Sequence, residues 1–287
     1  MKLISFTRLG RSGFGALVKG GVIDLTGRIS PEIDSIRTLL AAGKLAEARA
    51  YVAGSSPDFT VSDVMLLPVV PDPGKILCVG LNYETHRAET KRPDAQHPTM
   101  FTRYADSQVA HGQPILKPIV SEKLDYEGEM AVIIGKAGRY IDEKDAMRHV
   151  AGYACYNDGT ARDWQRHTHQ FGPGKTFPGT GGFGPWMLTA EEAGDYRAFP
   201  IETRVNGEVV QKASLADLIF PVERLIAYIS SFTPLSAGDV ILTGTPGGVG
   251  DRREPPVYLK AGDVVEVEIG PLGCLVNPVA EERADLS

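Results

Sequence analysis

Residues 125–135 read DYEGEMAVIIG. Met130 to Ile134 is an unbroken apolar run of the kind a buried strand presents, and Glu127 and Glu129 stand directly ahead of it. Side chains alternate along a strand, so residues two apart share a face. Two carboxylates set side by side at the mouth of a buried strand repel each other, and each is costly to desolvate unless something positive lies between them. Taken alone, the pair also reads as surface carboxylates on an edge strand.

Apolar runs separated by Gly/Pro turns continue on both sides: KILCVGL (75–81), VAGYACYN (150–157), ETRVNGEVV (202–210), DVILTG (239–244) and DVVEVEI (263–269). Asn206-Gly207 supplies the positive φ values of a type I′ hairpin turn. Only EKDAMRHV (143–150) and LADLIFPVERLIAYISSF (215–232, interrupted by Pro221) read as helices in this part of the chain. A regular strand–helix alternation is lacking, which argues against a doubly wound fold and for a β-rich α+β class.

The first seventy or so residues read as a small unit of their own. KLISF (2–6) and GALVKGGVIDL (15–25) are strand candidates with a Gly-Gly turn. In the stretch 30–54, Ser30 is a candidate cap with Pro31 at the first helical position, Gly43 a break, and Gly54 the end of a second helix. Pro68, Pro71 and Pro73 make LLPVVPDPGKI (66–76) the clearest linker. The expected division is a small N-terminal α/β domain over 1–72 and a catalytic domain over 73–287.

The chain has 287 residues, 43% hydrophobic and 23% charged, with a formal net charge of −6. That is ordinary globular composition. No Lys/Arg run exceeds two residues, so nucleic acid and anionic membrane surfaces are not expected partners. No apolar stretch approaches the roughly 18–20 residues of a membrane span. Arg8 and Arg11 interrupt the N-terminal apolar stretch, against a signal peptide. Cys78, Cys155 and Cys274 are odd in number, far apart and set in apolar neighbourhoods, so they read as reduced core residues of a cytoplasmic protein.

Three motifs invite readings that their context does not support. GTGGFG (179–184) has the glycine spacing of a dinucleotide loop, but prolines flank it and no helix follows, so no nucleotide cofactor is expected. GTPGGVG (244–250) lacks the Gly-Lys-Ser/Thr ending of a phosphate loop, though its backbone N–H groups remain able to hold an anion. His167 and His169 form a possible metal pair without a third ligand at short spacing, and read more simply as a solvated loop.

YACYNDGTARDWQ (153–165) changes the reading of the glutamates. Its apolar strand ends in Asn157-Asp158 and leads to Arg162, Asp163 and Gln165. Carboxylates at the ends of two buried strands can converge into an all-oxygen site, which suits Mg²⁺ or Mn²⁺ rather than zinc. In GPGKTFPGTGGFGPW (172–186), Lys175 is either a solvated charge or, beside a metal, a stabiliser of negative charge on an oxygen. In GLNYETHRAET (80–90), His86 and Glu89 are neighbours if the segment is helical, and a His oriented by a Glu is a general-base arrangement. The spacing also occurs by chance.

Together KILCVGLNYETHRAE, DYEGEMAVIIG, GYACYNDGTARDWQ, GKTFPGTGGFGPW, RVNGEVVQ and LSAGDVILTGTPGGVG resemble, in order, the fumarylacetoacetate hydrolase family over nearly all of 75–270. The resemblance implies a mixed β-sandwich roll with one Mg²⁺ or Mn²⁺ per subunit, usually a homodimer, with the small N-terminal domain of longer members. It implies Glu127, Glu129 and Asp158 as metal ligands, and Lys175 facing the substrate's oxygens. Arg162 and Gln165 fall where the family binds the carboxylate and 2-oxo end, and Thr245 where it closes that pocket. His86 and Glu89 match the dyad on a segment closing over the substrate, with AETKRPDAQHP (88–98) as a mobile lid and Asn82 and Tyr83 in support. Arg103 stands where related sequences often carry Lys, and its role stays open.

The implied activity is metal-dependent C–C hydrolysis of an acylpyruvate, such as maleylpyruvate or fumarylpyruvate from aromatic catabolism, through an enolate. Oxaloacetate decarboxylation, and hydratase, isomerase or lyase chemistry on related 2-oxo diacids, is the alternative. A non-catalytic module holding Ca²⁺ would leave Lys175, Arg162 and the His-Glu pair without a purpose.

Overall fold

The computed structural model describes residues 1–283; the last four residues of the expected catalytic domain lie outside the described residues. Strand Gly128–Ile134 is buried along its whole length. Its continuous apolar run follows from being covered on both faces. Met130, Val132 and Ile134 face a cluster containing Ile201, Val267 and the helix Val222–Phe232, whereas Ala131 and Ile133 face one containing Leu3, Ile23, Leu39 and Cys78.

The strand lies inside an eleven-stranded sheet, between strand Val150–Asp158 and strand Val240–Leu242. Strand Ile76–Gly80 pairs parallel to the latter, and Thr99–Arg103 closes that end. On the other side, Gly181–Thr189 pairs antiparallel with Val150–Asp158. A second sheet of five strands includes the hairpin Pro200–Val205/Glu208–Ser214. Asn206 and Gly207 have φ values of 54° and 80°, as the type I′ turn requires. The strand-rich α+β architecture expected from the sequence is the one found.

Gly128 shows why the two glutamates flank a glycine. A Cβ there would meet Thr203 Oγ1 of the second sheet at 2.0 Å. That face of the strand is closed by packing, and Glu127 and Glu129 project from the opposite face.

The N-terminal strands extend the large sheet. Lys2–Arg8 pairs antiparallel with Gly181–Thr189, bringing Leu3 opposite Met187. Val69 and Val70 of the proline-rich stretch are buried in the same cluster as Ala131 and Val240. Ser30 does not cap the first helix. The helix Ile36–Ala41 starts from Ser35, whose Oγ accepts the Thr38 N–H while Thr38 Oγ1 accepts the Ser35 N–H. This reciprocal pair is stronger than a lone serine before proline. Gly43, at φ 66°, ends that helix, and Gly54 ends the next. The segment Glu143–His149 is a 3-10 helix, and Pro221 is the cap of Val222–Phe232 rather than an interruption within it.

Cys78 and Cys155 are buried, whereas Cys274 is only half-buried; all three are free thiols. Among the described residues, no helix is long and apolar enough to cross a membrane.

Candidate metal centre and its pocket

The antiparallel register assembles the centre. Gly128 is opposite Asn157 and Glu129 opposite Tyr156, so the start of one strand adjoins the end of the other. The Asp158 N–H donates to the Glu127 carbonyl at 2.8 Å. Directly opposed residues share a face. Glu127, Glu129 and Asp158 therefore meet on one face, with ligand oxygens within 4.8 Å of one another and all three side chains buried.

Cations crowd this cluster. Lys175 Nζ donates to Glu127 Oε2 at 2.6 Å and to Asp158 Oδ2 at 2.5 Å. Arg162 Nη1 pairs with Glu127 Oε1 at 2.7 Å, and its Nε with Asp125 Oδ2 at 2.8 Å. Arg103 is fully buried; it donates to Asp158 Oδ1 at 2.6 Å, the Gly159 carbonyl and Thr180 Oγ1. Among the described residues, Glu129 accepts only the Gly244 N–H, at 2.7 Å. Four buried carboxylates, counting Asp125, thus face three buried cations.

The deficit shows in the proton affinities. Burial acts to raise Glu127, yet Lys175 and then Arg162 bring it down to about 2. Burial, with Asp158 and Glu127 adding repulsion, lifts Glu129 well above the usual carboxylate range. Burial opposes the charge on Lys175, but Asp158 and Glu127 outweigh it and hold the ammonium protonated. An all-oxygen trio with one under-compensated carboxylate fits a hard divalent cation such as Mg²⁺ or Mn²⁺.

His86 lies on the short helix Glu84–Glu89. Its Nδ1 is 2.6 Å from Glu89 Oε1. A carboxylate only accepts, so Nδ1 carries the hydrogen and Nε2 is the exchanging nitrogen. His86, Glu127, Glu129, Arg162, Gln165, Lys175 and Thr245 all line one cavity of ≈ 670 Å³, as do His167 and His169. Gln165 Oε1 accepts from Arg162 Nη1 at 3.1 Å. Arg162 Nη2 is buried without a partner among the described residues. Thr245 Oγ1 donates to the Gly128 carbonyl at 3.0 Å and accepts from Gln211 Nε2 at 2.7 Å.

The glycine-rich loop does hold anions, and they are the protein's own. Gly244 N–H serves Glu129, Gly248 N–H serves Glu89 Oε2 at 2.9 Å, and Gly250 and Asp251 N–H serve Asp125 at 2.9 and 3.0 Å. Gly244 and Gly248 have φ values of 97° and 106°. Both values lie in the left-handed region that favours glycine. One loop thereby fixes a carboxylate of the trio, the partner of His86 and the partner of Arg162. Sequence reasoning missed Asp125, Gln211 and this loop's role. Asn82, which it placed in support, donates to the Phe220 and Thr243 carbonyls and anchors the turn before His86.

The family profile described as Fumarylacetoacetate (FAA) hydrolase C-terminal matches residues 75–280. The chain belongs to the fumarylacetoacetate hydrolase family. It is 42% identical to the mitochondrial oxaloacetate tautomerase FAHD2A of Homo sapiens over 265 residues, covering 91% of this chain and 84% of that protein. Its fold is similar to that of a fumarylacetoacetate hydrolase from the psychrophile Exiguobacterium antarcticum, with a TM-score of 0.86, 38% identity, and 98% and 100% of the two chains covered. It is also similar to the maleylpyruvate hydrolase of Sphingobium sp. SYK-6 in complex with manganese(II) ion and pyruvate, with a TM-score of 0.82, 26% identity, and 99% and 100% covered. By sequence alone, acylpyruvate hydrolysis ranks ahead of oxaloacetate chemistry. Similarity supports the reverse order, since the 42% relative is named for oxaloacetate and the hydrolase stands at 26%.

Proposed function

We propose that the protein interconverts the enol and keto forms of oxaloacetate, with Mg²⁺ or Mn²⁺ held by Glu127, Glu129 and Asp158. The observation that carries this reading is a histidine oriented by a carboxylate, His86 on Glu89, in the cavity that Glu127 and Glu129 also line. When bound, the divalent ion supplies Lewis acidity and a template for a 2-oxo acid.

Enol-to-keto conversion removes a proton from the hydroxyl at C2 and adds one at C3; the reverse takes the C3 proton away. His86 Nε2 gives or takes the C3 proton, while Glu89 keeps hydrogen on Nδ1 and stabilises the imidazolium that forms in the reverse direction. Lys175 stabilises negative charge on the substrate oxygen. Arg162 offers its unpaired Nη2, and Gln165 its amide, to the C1 carboxylate. Thr245 closes the floor of that pocket, its hydroxyl held by Gly128 and Gln211.

Acylpyruvate hydrolysis is the second reading, supported by the manganese- and pyruvate-bound neighbour. There His86 would deprotonate a water instead of a carbon. An assay with Mg²⁺ and Mn²⁺ across oxaloacetate and several acylpyruvates, with products identified, decides between them. Accelerated tautomerisation with slow or absent cleavage is the expected result. Efficient acylpyruvate cleavage without faster tautomerisation would overturn the proposal.

A further inference from the structure

Oxaloacetate leaves much of the cavity unused. It has only nine non-hydrogen atoms, against a cavity of ≈ 670 Å³. The buried inner wall carries Glu127, Glu129, Arg162 and Lys175. The outer wall carries Arg92, Arg166 and Arg252 with a single acid, Asp251.

The outer arginines are built into the site. Arg162 opens the short helix Arg162–Gln165 and Arg166 caps its end, four positions on, which sets the two on the same side. Four residues rise about 6 Å, which sets Arg166 one step farther out than Arg162. Asp251 Oδ2 accepts from Arg166 Nη2 and lies 3.4 Å from Arg252 Nε, while its Oδ1 accepts from the Tyr258 hydroxyl at 2.9 Å. The backbone N–H of Asp251 donates to Asp125 Oδ2, the oxygen that also pairs with Arg162 Nε. One buried carboxylate, Asp125, thus ties the inner arginine to the segment carrying Asp251 and Arg252. Two guanidiniums share one carboxylate, leaving a net positive charge and free N–H donors at the mouth.

We propose that Arg166, with Arg252, is the receptor for the second carboxylate of a dicarboxylic 2-oxo acid. It makes the pocket select diacids over monoacids of equal length, including diacids longer than four carbons. The inference rests on the reading that the 2-oxo acid end sits at the trio. A carboxylate on a pre-positioned guanidinium forms a charge-assisted, fork-shaped contact that a methyl terminus cannot replace.

Calorimetric titration of the Mg²⁺-loaded protein with 2-oxoadipate and 2-oxohexanoate tests this without relying on turnover. The wild type should bind the diacid about 10- to 100-fold more tightly. Arg166→Gln should bring that ratio close to one, Arg252→Gln should lower it in part, and Arg166→Lys should retain some of it. Should Arg166→Gln fail to fold, Arg252→Gln and Arg166→Lys carry the test. A wild-type ratio near one, or a ratio unchanged in the folded variants, overturns the receptor. If neither acid binds, the receptor and the placement of the 2-oxo end both fail. A diacid preference without accelerated tautomerisation would overturn the tautomerase reading alone.

Discussion

Glu89→Gln separates the shape of the His86 site from its proton chemistry. Glu89 accepts twice, from His86 Nδ1–H at 2.6 Å and from the Gly248 N–H at 2.9 Å. Glutamine has one oxygen and one NH₂ for these two donors. If its oxygen faces Nδ1, its NH₂ opposes the Gly248 N–H, which costs about 1–3 kcal/mol for an unsatisfied donor. If its oxygen faces Gly248, its NH₂ donates to Nδ1, the hydrogen moves to Nε2, and the imidazole is no longer a base toward the pocket. Either way the imidazolium loses a charge-assisted partner worth about 1.5–3 kcal/mol. Only the loss of that partner acts on the barrier, since an unsatisfied Gly248 N–H costs the same before and after proton transfer; at 1.36 kcal/mol per decade the rate falls by roughly 10- to 10²-fold. Stopped-flow decay of enol absorbance at saturating Mg²⁺ measures this, with urea unfolding to confirm an intact fold. A drop smaller than about tenfold in a folded variant would refute the assignment of His86 as the oriented base.

The remaining predictions concern the charges. Arg103→Met removes the fully buried partner of Asp158 Oδ1, and breaking such a pair costs about 3–5 kcal/mol in urea unfolding; a loss below about 1 kcal/mol would show that Lys175 alone satisfies Asp158. Metal affinity should rise with pH. Burial and the neighbouring Asp158 and Glu127 raise Glu129 well above the usual range, so the metal-free site holds a proton that binding must expel. Mn²⁺ titration in buffers of different ionisation enthalpy should report about one proton released; a pH-independent affinity with no release contradicts the charge count. The folding linkage has the opposite sign. A raised carboxyl makes the metal-free fold less stable as pH climbs from the unfolded value toward the folded one. Added Mn²⁺ should therefore restore more melting temperature at pH 8 than at pH 5.

The sequence was most legible where structure is long and local. The Met130–Ile134 run, the Asn206-Gly207 hairpin and the helix ending at Phe232 each carry their own signal. The centre was legible only in part, because Asp158 meets Glu127 through cross-strand register, which neither segment encodes by itself. The short helices carrying the dyad, Arg162 and Lys175 span six, four and four residues. These are too short to show a helical period, so only resemblance could place their side chains. The glycine-rich loop looked like an anion site without an anion, since its partners Glu89, Asp125 and Glu129 lie more than a hundred residues away. Arg103 was visible only as an arginine where related sequences often carry Lys; its meaning comes from the buried carboxylate it pairs with, Asp158. The proline-rich border at 66–76 likewise gave no sign that Leu3 pairs with Met187 across it.

The most direct test is a proton NMR time course of oxaloacetate in D₂O with the Mg²⁺-loaded protein. One base on one side of the substrate predicts stereoselective exchange of a single C3 proton, faster than without protein and before pyruvate accumulates. Exchange at the uncatalysed rate, or pyruvate appearing in step with it, would contradict the account.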